Sequence, residues 1–166
     1  MPENWMPHEK WNALVLGEGC PLCGLVKTPG GDSEDIYFIA DLAMSRLVLK
    51  HNQYVKGYSL LVCLKHVREP YELPRDEQEQ YFDDMMTAGM SLEKVFGADK
   101  MNFQILGNAV PHLHCHIVPR YYGDAAPNHP IDPNASQVIL KPEEYRARVE
   151  SIREMLSLIR AHRQRG

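Results

Sequence analysis

Three histidines at alternate positions, His112, His114 and His116, stand among apolar residues in the stretch Asn108-Ala109-Val110-Pro111-His112-Leu113-His114-Cys115-His116-Ile117-Val118-Pro119-Arg120. A neutral imidazole can attack an electrophile, donate or accept a proton, or ligate a metal near neutral pH. Side chains alternate faces along a β-strand, so the spacing predicts three imidazoles on one face and Leu113, Cys115 and Ile117 on the other. Three such rings bury little apolar area, and each brings a donor and an acceptor that must be satisfied. The pattern therefore reads as a site rather than as packing. A second cluster is Cys20-Pro21-Leu22-Cys23-Gly24, two thiols separated by two residues with Pro and Gly shaping the chain between and after them. This is the spacing of a zinc knuckle, which needs two further ligands. A redox dithiol is the rival reading. That motif sits between a strand and a helix, whereas here Cys23 is expected to run into a loop over residues 28–32, so metal is preferred.

The elements that must position these residues follow from periodicity. Residues 36–40 and 46–49 read as an antiparallel pair of strands, with the turn between them at Asp41 to Ser45. Residues 57–64 turn continuously apolar, as in a central strand covered on both faces. Pro74 suits the first position of a helix whose first turn carries Asp76, Glu77 and Glu79, and which runs to about Phe96 before Gly97. Its stripe is Tyr81, Met85, Leu92 and Val95 or Phe96, with Met85, Met86 and Met90 filling the core and Asp83, Asp84 and Lys94 on a solvated face. Residues 102–106 alternate as a half-buried strand, and Gly107-Asn108 should turn it into the histidine strand. Residues 121–136 hold Gly123, Pro127, Pro130 and Pro133 in a long loop suited to a binding edge, a lid or a subunit contact, or simply to surface. A helix over 142–165 carries the stripe Tyr145, Val149, Ile152, Leu156 and Ile159 and ends in basic residues. Residues 1–19 form a lead-in, with two helical turns over 8–15 stopped by Gly17 and Gly19.

Strands and helices come in runs, which predicts an α+β fold with an antiparallel sheet and helices on one face. With 166 residues and neither internal repeat nor composition shift, a single domain over 1–166 is expected. A hydrophobic fraction of 44% and a charged fraction of 24% suit a globular protein, and no run approaches the ~18 apolar residues of a membrane span. The first residues have neither a basic nor an apolar leader region, and a cytoplasmic location is expected. A net charge of −4 argues against a general footprint for nucleic-acid polymers and points to a small-molecule partner. Four cysteines without an export signal read as metal ligands or core, not as a disulfide framework.

The heptad His112-Leu113-His114-Cys115-His116-Ile117-Val118 resembles the signature of the histidine-triad (HIT) family of nucleotide hydrolases and transferases. Residues 57–62 leading to Lys65-His66, and Asn108 with Pro119-Arg120, resemble that family's central strand and the frame of its triad. The resemblance spans roughly residues 20–120. It implies a HIT-like fold with an antiparallel sheet of about five strands, one long central helix and a C-terminal helix. It also implies attack of His114 on the α-phosphate of a nucleotide conjugate, giving a nucleotidyl-histidine. His116 would then act as donor or general acid beside the leaving group, and Asn108 would donate to phosphate oxygens. Zinc-bearing relatives hold their metal with residues that match Cys20, Cys23, His66 and His112, a closed structural set. The family usually forms homodimers.

Two departures stand out. The loop before the triad is compact, and Lys50 stands where the family often carries an Asp or Asn for the ribose hydroxyls, which would favour an extra phosphate. The leading expectation is a hydrolase of a dinucleoside polyphosphate-like conjugate, with a phosphoramidase or nucleotidyltransferase as the alternative. Two other readings are a catalytic metal on all three histidines and a non-catalytic nucleotide-binding module. Alternate histidines sit about 6–7 Å apart along a strand, which strains a common ligand sphere.

Overall fold

The computed structural model describes residues 5–30, 32, 36–132 and 136–163. The predicted ends at 1–4 and 164–165, and Pro133 of the long loop, lie outside the described residues. In chain order the elements are α1 (His8–Val15), α2 (Pro21–Lys27), β1 (Ile36–Asp41), β2 (Ser45–Lys50), β3 (Ser59–Cys63), a 3-10 turn (Pro70–Glu72), α3 (Arg75–Phe96), β4 (Lys100–Gln104), β5 (His114–Arg120) and α4 (Pro142–Arg163). The five strands form one antiparallel sheet in the order β1-β2-β3-β5-β4.

The apolar run predicted as a central strand is the middle strand β3, with all five residues buried. Its Leu61 and Cys63 face α3 and α4 together with Leu47, Leu49, Cys115 and Ile117. Leu60 and Val62 face the other way, with Ile36 and Val48, against Leu22, Leu25 and Val26 of α2. Helices therefore cover parts of both faces, not one. The Cys-x-x-Cys segment is the cause: Cys20 is the N-cap of α2 and Pro21 its first residue, so the predicted knuckle turn is the start of a helix with its own apolar stripe. Arg46 fastens the far end of α2, donating from Nη1 to the Leu25 and Thr28 carbonyls at 2.7 and 2.5 Å, while its Nε and Nη2 hold Asp41. A cation at a helix C-terminus satisfies its open carbonyls and opposes the dipole.

Helix α3 begins one residue later than expected, with Pro74 as its N-cap, and ends at Gly97, whose φ of 64° is the left-handed conformation that glycine adopts without steric cost. Two expectations for it fail. Asp84 is buried, not solvated, and its carboxylate accepts from Ala43 N at 3.2 Å, Met44 N at 2.8 Å and Ser45 Oγ at 2.7 Å, closing the β1–β2 turn. Met86 is 42% exposed and leaves the core to Met85. The α4 stripe is buried as predicted.

Candidate functional site

Strand β5 lies between β3 and β4, with His114 opposite Val62 and His116 opposite Leu60 and Gln104. Both histidines thus share the sheet face that carries α2, while Cys115 and Ile117 enter the core beneath α3 and α4. His112 does not continue this row. The strand starts at His114, and His112 lies on the approach to it, fully buried. The nine residues 105–113 between β4 and β5 form a wide connection in place of a tight hairpin.

His112 leaves the row because its ring turns toward Cys20, Cys23 and His66. Its Nε2 is 2.8 Å from the Cys63 carbonyl, and the His66 Nε2 is 3.1 Å from the Val15 carbonyl at the end of α1. A carbonyl only accepts, so both rings carry their proton on Nε2 and present a bare lone pair at Nδ1. Those two Nδ1 atoms are 3.2 Å apart. Cys23 Sγ lies 3.2 Å from the His66 Nδ1 and 3.5 Å from that of His112, and Cys20 Sγ lies 3.5 Å from the latter. All four donor atoms fall within 4.8 Å of one another.

Two lone pairs aimed at each other repel unless a cation stands between them. Tetrahedral zinc, with bonds of about 2.0–2.1 Å to nitrogen and 2.3 Å to sulfur, would space its ligand atoms roughly 3.3–3.8 Å apart. The cluster fits a structural zinc ion, and its four protein donors complete a tetrahedral shell. The helix that begins at Pro21 and contains Cys23 removes the sequence argument against a redox dithiol, but the converging histidines replace it with a stronger one.

The pair of His114 and His116 is arranged differently. His114 Nδ1 lies 2.6 Å from the His112 carbonyl, so it is the N–H donor there, and the lone pair of His114 resides on Nε2. Burial lowers the basicity of His114 against the raising effect of that hydrogen bond, with Lys50 adding a smaller lowering. His116 stands with its ring centroid 5.1 Å from that of His114, and its Nδ1 is 2.5 Å from the Tyr58 hydroxyl. Burial, then His114, then the Lys50 ammonium push His116 down to about 4. Neither Nε2 is walled in: among the described residues, the enclosed side-chain nitrogens and oxygens without a partner are Glu77 Oε2 and Tyr81 Oη. Both rings therefore stand on the sheet face that carries α2, with no protein partner at Nε2 among the described residues.

Lys50, at the end of β2, is near enough for its charge to act on both histidines. Asn108 is exposed on the 105–113 connection and makes no hydrogen bond to either ring, so the structure does not gather it into the site. The long loop is tied down by the buried Arg120, which pairs with Asp124 at 2.6 and 2.8 Å and donates to the Ala126 and His129 carbonyls. Sequence reasoning missed Tyr58 as a site residue. A tyrosine opening a buried strand was the available signal, since its hydroxyl must find a partner there.

No helix among the described residues is long and apolar enough to cross a membrane. The HIT domain family model matches residues 34–123. An uncharacterised HIT-like protein of Methanocaldococcus jannaschii is 35% identical over 74 residues, which take in 42% of this chain and 57% of that protein, just over half its length. A histidine triad protein from Bradyrhizobium japonicum shares the structure with a TM-score of 0.66 at 28% identity, covering 74% of this chain and 92% of its own. A zinc-bound histidine triad family protein from Mycobacterium smegmatis superposes with a TM-score of 0.62 over 86% of this chain and 96% of its own, a likeness of fold at 19% identity. With more than half of its length matched and its strands, helices and triad in place, this chain belongs to the HIT domain family.

Proposed function

We propose that the protein transfers a nucleotidyl group from a nucleotide conjugate through His114, most simply to water, as a hydrolase of a dinucleoside polyphosphate-like substrate. The observation that carries this reading is the hydrogen bond from His114 Nδ1–H to the His112 carbonyl, with Nε2 left open. A lone pair on Nε2 attacks the α-phosphorus, the N–P bond forms, and the P–O bond to the leaving group breaks with its electron pair going to that group. The imidazole becomes cationic on bonding phosphorus, and the carbonyl already placed at Nδ1–H stabilises that charge. Water then attacks phosphorus, the P–N bond breaks and its pair returns to Nε2, while the water protons pass to solvent or phosphate oxygens.

His116 donates toward the phosphoryl oxygens or the departing oxygen. Asn108, on the 105–113 connection, would join only once substrate is bound, and Lys50 supplies a cation for an additional phosphate. Zinc on Cys20, Cys23, His66 and His112 gives rigidity rather than a bound water, because the four protein ligands fill its coordination shell. His112 then serves twice, its ring on the metal and its carbonyl on the nucleophile.

A phosphoramide substrate would use the same intermediate with another leaving group. The exposed Phe82 and Met86 of α3 and Phe103 of the edge strand β4 give a second copy of the chain an apolar face to cover. No nucleic-acid polymer and no membrane enter this reading, and a cytoplasmic setting suits reduced thiols on a metal.

The test is mass spectrometry of protein quenched during turnover of diadenosine tetraphosphate and, separately, adenosine phosphoramidate. A nucleotidyl adduct on the peptide carrying His114, absent in His114→Ala, is expected. Undiminished turnover by His114→Ala would discard the mechanism.

A further inference from the structure

We propose that Tyr58 is a positioning residue that fixes His116 with its proton on Nε2, making His116 a neutral hydrogen-bond donor to the phosphoryl group rather than a proton-transferring acid. This rests on the reading of His114 as the nucleophile and narrows the part its neighbour plays.

The geometry begins two residues before β3. Gly57 has a φ of 86°, and a side chain there would bring its first carbon within 2.4 Å of the Phe96 ring. The turn therefore depends on glycine, and it delivers Tyr58 buried against the site. The Tyr58 ring lies nearly parallel to that of His116, at 10° and 5.9 Å between centroids, and Tyr54 braces it edge-on at 4.9 Å. Val55 and Val118 share its buried cluster, with the partly buried Tyr121 and Ile131 packed against that cluster. The ring has little room to turn away.

The Tyr58 hydroxyl keeps its proton, because burial and then Tyr54 raise its pKa further above the ordinary tyrosine value. Among the described residues its one hydrogen-bond partner is the His116 Nδ1, at 2.5 Å. A buried hydroxyl that fails to donate loses free energy it would have kept in water. The hydroxyl therefore donates to Nδ1, and the remaining proton of a neutral His116 sits on Nε2. His116 is held neutral by its burial and by the nearby His114 and Lys50.

The consequence is an assigned division of labour between adjacent rings. His114 is fixed by a carbonyl and opens an acceptor; His116 is fixed by a hydroxyl and opens a donor. The attacking lone pair and the N–H that meets the charge developing on oxygen are set before substrate arrives. Such preorganised donors act on the chemical step more than on ground-state binding. A neutral imidazole is a poor proton source, so the arrangement serves a leaving group that departs as a stable anion.

The experiment uses zinc-loaded, 15N-histidine-labelled full-length protein. Two-bond proton–nitrogen correlation spectra near neutral pH report which nitrogen of His116 is protonated, its signal assigned by its loss in His116→Gln. The wild type should show a single Nε2–H form. Tyr58→Phe keeps the ring packing but removes the hydroxyl; it should show mixed forms, with kcat lower by about tenfold and KM within about twofold. Unchanged zinc content and Tm in Tyr58→Phe would show that the loss is not one of folding. A wild-type His116 protonated on Nδ1, or the same Nε2–H form in Tyr58→Phe, would overturn the assignment. Should the wild type turn over no nucleotide conjugate at all, the catalytic reading fails, and the spectra still decide the role of Tyr58.

Discussion

Within about one strand's length the molecule builds two histidine clusters by the same device and to opposite ends. In the cluster of His66 and His112, backbone carbonyls take the Nε2 protons and drive both lone pairs toward Cys20 and Cys23. In the pair of His114 and His116, a carbonyl and a tyrosine hydroxyl take the Nδ1 positions and leave the two Nε2 atoms without a protein partner among the described residues. What separates a metal ligand from the proposed nucleophile here is which ring nitrogen the fold occupies and whether the other faces more donors. The two regions meet in His112, whose ring belongs to the first and whose carbonyl serves the second.

The sharpest way to break the comparison is to remove one region and watch the other. His114→Ala should lower kcat/KM by roughly 10³-fold or more while zinc stoichiometry and Tm stay at wild-type values, since its ring is no metal ligand. Cys20→Ser should act the other way round. Loss of a structural zinc ligand removes several kcal/mol of folding free energy, which for a chain of this length lowers Tm by roughly 10 °C. Activity should fall in proportion to lost zinc, and only as the His112 carbonyl loses its anchor. Metal analysis and calorimetry on both variants check this pair. Immediate loss of activity on chelation, in a protein that stays folded, would instead place a catalytic metal on the histidines.

Much of the frame was legible because its signals are local. Pro74, the acidic first turn and Gly97 mark α3, the stripe from Tyr145 to Ile159 marks α4, and the continuous run in β3 marks the sheet centre. The four cysteine and histidine residues of the metal cluster were identified through the family's pattern, and the fold brings them together. Period-two reasoning carried His114 and His116 onto one face but could not know that His112 would leave the strand, because its partners are 46 to 92 residues away. The same limit hid Asp84, whose burial depends on a turn about 40 residues earlier. It also hid Tyr58, whose partner is 58 residues later. Polar residues that satisfy distant groups look in sequence like solvated ones.

Asp84 offers a control remote from both histidine clusters. Asp84→Ala would leave the Ala43 and Met44 amides and the Ser45 hydroxyl without their acceptor, at a cost of about 3 kcal/mol. Tm should drop by roughly 6–12 °C. Zinc content and the kcat of the folded fraction should not move, because Asp84 lies under the opposite face of the sheet from the site. A loss of zinc in this variant would show that the metal cluster reports general stability rather than its own ligands.

The smallest expected effect tests where the reacting side meets its substrate. Lys50 repels a proton on His116 and, in the proposed reading, attracts phosphate, so its removal works in two directions. Lys50→Met should raise KM for a polyphosphate conjugate by about fivefold, the worth of roughly 1 kcal/mol for one partly solvated charge contact. His116 should become somewhat more basic as the neighbouring cation disappears, yet burial, the largest cause of its depression, stays in place. The kcat near pH 7 should therefore change by less than about twofold, and Tm and zinc should stay fixed. Steady-state kinetics with substrates of increasing phosphate number decides it. If Lys50 reads the additional phosphate, the KM penalty grows with that number, and a penalty equal for all of them would place Lys50 on the group common to every substrate.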